Sequence, residues 1–514
     1  MSNTERLPVT AITPADPGYA ALTTRGNNKR FTANPEAFHV ATSTADVVAA
    51  VTEALRSGKR IAVRSGGHGY EDFSGAPGTQ LVVDLGEMTA VAFDAERNAF
   101  MVEAGARLDD VYRTLYEGWG VAVPAGNSAT VGLGGHVQGG GYGSLNRRHG
   151  LIVDHLHALE VVVTDAATGE ARAVVATRDA DDPHHDLWWA HTGGGGGSFG
   201  IVTRYWFRSP DATGTDPEQL LPRPSAEMLT STVLFPRATL DKPAFRTLVG
   251  AYGRWHERNS APDSPCVHLF ASLVLLGRQR PRPEEGQDMG AVLVTHVEAD
   301  RPDAAQLLQD FLDEVTGDAA LSPVVLPTET VPWLVSKKAL SDAQDAEIGR
   351  QKVKSANLLG AFTDDQADAL YDFLDDADAV HDSSLVALDS FGGRTSAVAP
   401  DATAAAQRDA VLKVLFMSTW QDAALDEAAL AWMRRCYGAV FAKTGGVPAP
   451  VPGGNADGCF INFADVDTAD PEQNTSGVPW HALYFKDNYR RLQAVKGVYD
   501  PAEVFRHPLS VRPA

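Results

Sequence analysis

The chain has 514 residues, 44% hydrophobic and 21% charged, with a formal net charge of −22; that length supports two or three domains with buried cores. Such acidity repels phosphate backbones and anionic membranes and argues against a nucleic-acid partner. No apolar run has the length of a membrane-spanning helix, and Cys266, Cys436 and Cys459 lie too far apart for a disulfide framework or a Cys-x-x-Cys metal site.

The opening segment "MSNTERLPVTAITPADPGYAAL" has no positive end leading into an apolar core, so no signal peptide is expected and a cytoplasmic location fits. Residues 43–58 read as a helix. Ser43 or Thr44 caps it, Val47, Val48, Val51 and Leu55 share a face, and Gly58 ends it. "RIAVRS" and "QLVVDL" read as buried strands. "AVAFDAERNAFMVEAG" alternates about a turn and reads as a hairpin, residues 108–119 as a helix, "HALEVVVTDAATGEARAVVA" as a second hairpin, and "GIVTRYWF" as a strand. The Pro-rich stretch "FRSPDATGTDPEQLLPRPSA" then marks a boundary. Beyond it, "CVHLFASLVLL", "GAVLVTHVEA", "SSLVALDS" and "VLKVLFMSTW" read as strands alternating with amphipathic helices, which suits an antiparallel sheet backed by helices. "PAPVPGGNADG" is a further break, and the last segment reads as helical up to Asp500–Pro501. The fold class expected is α+β: one part over residues 1–210, a second over 211–455, and a C-terminal return to the first over 456–514.

The 47 glycines are clustered. "RSGGHGY", "GLGGHVQGGGYG" and "HTGGGGGSFG" each follow or precede an apolar run, so they read as turns between ordered elements rather than as linker. Successive backbone N–H groups at such turns form anion-holding nests, and pyrophosphate is their usual guest. There is no Walker motif and no good G-x-G-x-x-G fingerprint, so neither a P-loop nor a Rossmann site is supported. His184, His185 and His191 lack a metal-ligand arrangement, and no metal is expected.

Four motifs in order, "RSGGHGYEDFSG", "SATVGLGGHVQGGGYGSLNRRHGL", "DLWWAHTGGGGGSFGIVTRYWF" and "YFKDNYRRLQAVKGVYDPAEVFRH", resemble the berberine-bridge-enzyme-like branch of the vanillyl-alcohol oxidase flavoproteins. The resemblance spans nearly the whole chain. It implies a two-part PCMH-type FAD-binding domain and FAD joined covalently through His68. Along the first turn it places Arg64, Ser65, Gly66, Gly67, His68, Gly69 and Tyr70 at the flavin. Along the second it places Ser128, Val131, Gly132, Gly135, His136, Gly140, Gly141 and Tyr142, and further on Gly200, Ile201, Val202, Tyr484 and Asn488.

Two departures from the family pattern matter. Relatives with a second flavin link carry Cys-x-x-Val-Gly-x-Gly-Gly-His; Ser128 stands at the cysteine position here, so a single link is expected. Relatives also place a tyrosine base in Tyr-x-Asn-Tyr, whereas this chain reads "CFINFAD". Phe460 and Phe463 have no proton to exchange. By the resemblance, Asp389, Tyr142 and Tyr484 become the candidate bases, and Phe391, Trp420, Phe460 and Phe463 the substrate-facing residues. Val131 takes a position where valine goes with oxidase behaviour in relatives. The expected activity is an FAD-dependent oxidase acting with O2 on a polyketide- or antibiotic-like intermediate. A sugar or oligosaccharide oxidase, a flavin-assisted cyclase and a non-catalytic FAD-binding protein stand as alternatives. The expected partners are a small-molecule substrate and O2, with no nucleic acid and no membrane, and a homodimer is compatible with the sequence.

Overall fold

A computed structural model of the chain describes residues 11–165, 168–279, 288–345, 349–377, 379 and 381–514. Residues 1–10 of the segment read for a leader, and 166–167 in the second hairpin turn, lie outside them.

The first part is built on two sheets. Ala37–Val40, Leu81–Asp84 and Ile61–Arg64 pair in parallel, with Ala11–Ile12 antiparallel at the edge. Parallel strands need a crossover, and the helix Thr44–Ser57 makes the one from Ala37–Val40 to Ile61–Arg64, the two strands that flank Leu81–Asp84. Ser43 caps that helix by accepting the Asp46 N–H, and Gly58 ends it at φ 65°. Val47, Ala50, Val51 and Ala54 form its buried face, while Val48 and Leu55 are half-buried. The second sheet is antiparallel. It runs Val91–Asp94, Ala99–Glu103, Ile201–Phe207, Leu156–Asp165, Glu170–Thr177, so both expected hairpins and the strand leaving the third glycine cluster share it.

Among the described residues the large sheet has eight strands, all antiparallel, between Glu227 and Trp420. The helices Ala304–Thr316, Lys242–Asn259, Asp364–Leu374 and Asp426–Val440 pack side by side as a layer against it. Successive side chains on a strand point to opposite faces. Leu273, Leu388, Val414 and Ala356 therefore make one fully buried apolar row across four adjacent strands. The next row, on the opposite face, is Ser272, Asp389, Lys413 and Asn357.

Four strands of this sheet were not read from the sequence, the short Val324–Val325 and Glu329–Pro332 among them. Glu227–Pro236 opens it, directly after the Pro-rich boundary. Arg350–Leu358 lacks an apolar signature because Gln351, Lys352, Lys354, Ser355 and Asn357 are all buried polar residues. The C-terminal segment also differs from the expected continuous helix. Trp480–Phe485 and Tyr489–Tyr499 are separate, broken at Lys486, whose φ is 46° and whose ammonium reaches back 2.6 Å to Asp457.

Candidate active site

The glycine turns converge on one cavity of about 280 Å³. Two of them cross with their backbones in contact. A Cβ on Gly66 would lie 2.2 Å from the Gly132 nitrogen, and one on Gly132 would lie 2.3 Å from the Gly66 nitrogen. Any side chain there would push the turns apart. Of the expected cofactor residues, Arg64 to Tyr70, Val131, Gly132, Gly135, His136, Gly200, Ile201 and Val202 all line the cavity. A Cβ on Gly135 would meet nothing within 4 Å, so this glycine leaves the wall flat where a planar ring could lie.

The cavity's histidines are held by identifiable partners. The His68 Nε2 is 2.9 Å from the Thr130 hydroxyl. His136 accepts the Gly126 N–H at 3.0 Å; burial, helped by the charge on Lys337, pulls its pKa down to about 4, so it is neutral. His507 stacks on Phe73 with centroids 4.0 Å apart and bonds the Gly196 carbonyl at 3.0 Å. His507, Arg506 and Gly195 to Gly197 line the cavity but were not singled out from the sequence. The run of glycines itself was the available signal.

Beside the cavity stands the polar row of the large sheet. Tyr142 crosses from the glycine-rich part and donates to Asp389 Oδ2 at 2.8 Å, while Ser272 donates to Asp389 Oδ1 at 2.7 Å. Lys413 donates to Asn357 Oδ1 at 2.8 Å. Its ammonium lies 4.0 Å from the Phe460 ring centroid, 4.5 Å from Phe391 and 5.3 Å from Tyr142, within reach of cation–π attraction. Phe463 edges onto Phe460 (5.2 Å), Tyr142 (6.3 Å) and Tyr70 (5.7 Å), and it also lines the cavity. Phe463 thus touches both the cavity and the Tyr142 ring of the ionisable group. Lys413 and Asn357 were missed; a single lysine inside the apolar run "VLKVLF" was the visible sign.

Burial sets the electrostatics. It raises Asp389, against the hydrogen bonds from Ser272 and Tyr142 and the charge of Lys413. It raises Tyr142 well above a normal phenol, and Asp389 adds to that. It lowers Lys413 from 10.5 to about 7, with Arg408 adding to the fall and Asp457 and Asp389 opposing it. Between those values the folded chain binds fewer protons at Lys413 than the unfolded chain does. The lysine's stability penalty is therefore complete below about pH 7 and fades as pH rises toward 10.5. Unfolding titrations at pH 7 and pH 9 are expected to show the wild type gaining on Lys413→Met as pH rises, by at most about 1.4 kcal/mol per unit. Equal slopes would contradict the buried cation.

Several of the expected site residues lie outside the cavity lining, Tyr142, Asp389, Phe391 and Phe460 among them. Trp420 ends the strand Leu412–Trp420, at the opposite end from Lys413, and its indole donates to Asp426 at 2.7 Å, so it stands away from this group. The Tyr484 hydroxyl accepts the Asp465 N–H at 3.1 Å and lies outside the cavity lining. The Asn488 amide is used on the Pro400 and Thr403 carbonyls at 2.8 and 3.2 Å. Both of these residues brace the C-terminal return rather than the cavity. Ser128 is also outside the lining. Gly140 and Gly141 pack instead between elements, where added side chains would meet Ala405 and Ile152.

Comparison with known proteins decides what this arrangement belongs to. Residues 35–172 match the FAD binding domain model and 459–512 the berberine and berberine-like model. The aclacinomycin-N/aclacinomycin-A oxidase of Streptomyces galilaeus is 46% identical over 509 residues, covering 99% of this chain and 90% of that one. The chain belongs to the berberine-bridge-enzyme-like FAD-linked oxidoreductases. Two crystal structures of this family superpose closely. CrmK, a flavoenzyme of a shunt-product recycling mechanism in caerulomycin biosynthesis, gives a TM-score of 0.93 at 45% identity and covers 99% of this chain and 100% of its own. Glycopeptide hexose oxidase DBV29, complexed with teicoplanin, gives 0.91 at 44% identity, covering 98% and 99%. This chain is accordingly an FAD-dependent oxidoreductase, with an FAD-binding domain and a second domain whose antiparallel sheet is backed by helices. The cavity fits that cofactor: a flat glycine wall, close-crossing turns, and Arg506 at its lining. No helix among the described residues is long and apolar enough to cross a membrane.

Proposed function

We propose that residues 1–210 and 456–514 form the FAD-binding part, that 211–455 bind the substrate, and that the enzyme is an oxidase of a secondary-metabolite intermediate with FAD attached through His68 alone. The observation that carries this reading is the row Ser272–Asp389–Lys413–Asn357 facing Tyr142 and bordered by Phe391, Phe460 and Phe463. It puts ionisable groups beside the cavity where Phe460 and Phe463 cannot serve.

When bound, FAD supplies a two-electron acceptor that takes hydride from the reacting carbon and passes the electrons to dioxygen, giving hydrogen peroxide. The proton is the protein's task. Tyr142 orients the reacting hydroxyl and takes its proton while passing its own to Asp389 Oδ2. A free tyrosinate is disfavoured, because burial and the Asp389 charge hold the phenol far above its usual range; both transfers therefore belong to one step. Burial makes Asp389 a stronger base than an exposed carboxylate, and Ser272 keeps its other oxygen occupied. His68, its ring held by Thr130, would hold the flavin covalently. Ser128 has no thiolate to offer for a second link.

Phe391, Phe460 and Phe463 suit a polycyclic or aromatic body, which stacks edge-on against such rings. The names of the similar enzymes point the same way: an aclacinomycin oxidase, a flavoenzyme of caerulomycin biosynthesis and a glycopeptide hexose oxidase. The last of these, together with a hexose oxidase from Chondrus crispus at 29% identity, favours a second reading in which the oxidised hydroxyl sits on a sugar. The enzyme works in the cytoplasm, where its three free cysteines stay reduced.

The test is anaerobic mixing with glycosylated aromatic polyketides, their aglycones and free hexoses, followed by readmission of oxygen. Flavin bleaching by the polyketides, with peroxide on reoxidation, is the expected result. Bleaching by free hexoses alone would replace it with the sugar reading. No bleaching by any of them would leave a flavin-binding protein without this activity.

A further inference from the structure

A second buried charged network lies behind the cavity, and the proposed reaction does not use it. Lys352, on the strand Arg350–Leu358, donates to Glu71 Oε1 at 2.6 Å and to Asp465 Oδ1 at 2.7 Å. Lys354, two residues on, donates to Asp465 Oδ2 at 2.6 Å and to Asp467 Oδ2 at 2.8 Å. Arg434 closes on Asp467 at 2.8 Å, and Arg30 on Glu71 at 3.2 Å. Glu71, Lys352, Lys354, Asp465 and Asp467 are all more than nine-tenths buried. Burial disfavours the Lys352 ammonium, yet Asp465, Glu71 and Asp467 more than reverse it, so it is charged at any physiological pH.

Its anchor points are not arbitrary. Glu71 adjoins Tyr70 and closely follows His68. Asp465 closely follows Phe463. Tyr70 and Phe463 are themselves in ring contact at 5.7 Å. Residues 65–80 contain no helix or strand, so no ladder of backbone hydrogen bonds holds the turn that carries His68. Stability alone gives little reason for such a network, since apolar replacements of buried ion pairs are often as stable. What a many-membered ionic cluster supplies is a fixed geometry.

We infer that Lys352 is a positioning residue for flavin attachment: from the substrate-side sheet it clamps the His68 turn against the Phe463 loop, so that the histidine ring is presented at one place. This rests on the reading that His68 carries FAD. In that attachment a ring nitrogen of His68 gives up its hydrogen, the 8α carbon gives up one, and the N–C bond forms. Both hydrogens and their two electrons reduce the flavin, and dioxygen reoxidises it, leaving as hydrogen peroxide. Displacing the ring by about 1 Å is enough to slow a positioned reaction about 10²-fold.

The experiment measures the fraction of purified protein whose flavin survives acid precipitation, and its growth during incubation with FAD, alongside total bound FAD and the thermal midpoint. Lys352→Met is expected to bind FAD and stay folded but to attach it about 10²-fold more slowly. Lys352→Arg, which keeps the ion pairs, is expected to restore most of the rate; a merely space-filling role would not separate the two. Glu71→Gln keeps the side-chain shape and leaves Lys352 paired to Asp465, and it serves where Lys352→Met does not fold; it too should slow attachment. A wild type with acid-stable flavin, and either variant attaching it at the wild-type rate, would overturn this inference alone. A wild type with no acid-stable flavin would overturn the His68 reading and this inference with it.

Discussion

Asp389→Asn is expected to slow anaerobic flavin reduction by about 10²–10⁴-fold, the usual cost of losing a general base, while FAD stays attached. The carboxylate sits on the large sheet and bonds Tyr142 and Ser272, so its loss should leave the cavity lining intact. Asparagine keeps the volume and can accept from Tyr142, but it cannot hold the proton. The pH dependence should change with it. Asp389 is raised by burial, so the wild-type rate should fall as pH drops through that raised value and the carboxylate protonates. The asparagine variant should lack that limb. A variant reducing its flavin at the wild-type rate would make Asp389 a structural residue.

His68→Ala is expected to convert flavin that wholly survives acid precipitation into flavin that is wholly released. No other group stands ready to replace the link. Cys436 and Cys459 are buried, and burial pushes both thiols up to about 12, so neither offers a thiolate near neutral pH. Cys266 bonds Asn259 Oδ1 at 3.4 Å and lies outside the cavity lining. Mass spectrometry of the wild-type flavin peptide should find the adduct on the segment holding His68. An adduct on any cysteine, or acid-stable flavin in His68→Ala, would contradict the single link.

Much of the fold was legible because local signals agreed with it. Ser43 and Gly58 bracket their helix as the capping pattern requires, and both hairpins follow their alternation. What stayed hidden was structure decided by distant partners. Arg350–Leu358 reads as a polar segment; it is a buried strand because Glu71, Asp465 and Asp467 neutralise its lysines from elsewhere in the chain. The break at Lys486 follows from an ion pair with Asp457, which no helical period reveals. The cavity was nearly complete in the glycine motifs, because close backbone approach demands glycine wherever it occurs. The ionisable group was half legible. Asp389 and Tyr142 could be picked out, whereas Lys413 and Asn357 depend on strand register. Trp420 misled for the same reason: an aromatic residue on the right strand, but at its other end.

Tyr142 and Asp389 are proposed to move one proton as a unit, and a double-mutant cycle on the anaerobic flavin-reduction rate puts this to the test. Tyr142→Phe, Asp389→Asn and the double variant would be compared with the wild type on the same substrate. If the two residues act in one relay, each single change already breaks it, and the double variant is no slower than the slower single one. If instead the two losses multiply, each residue contributes on its own and the relay is wrong.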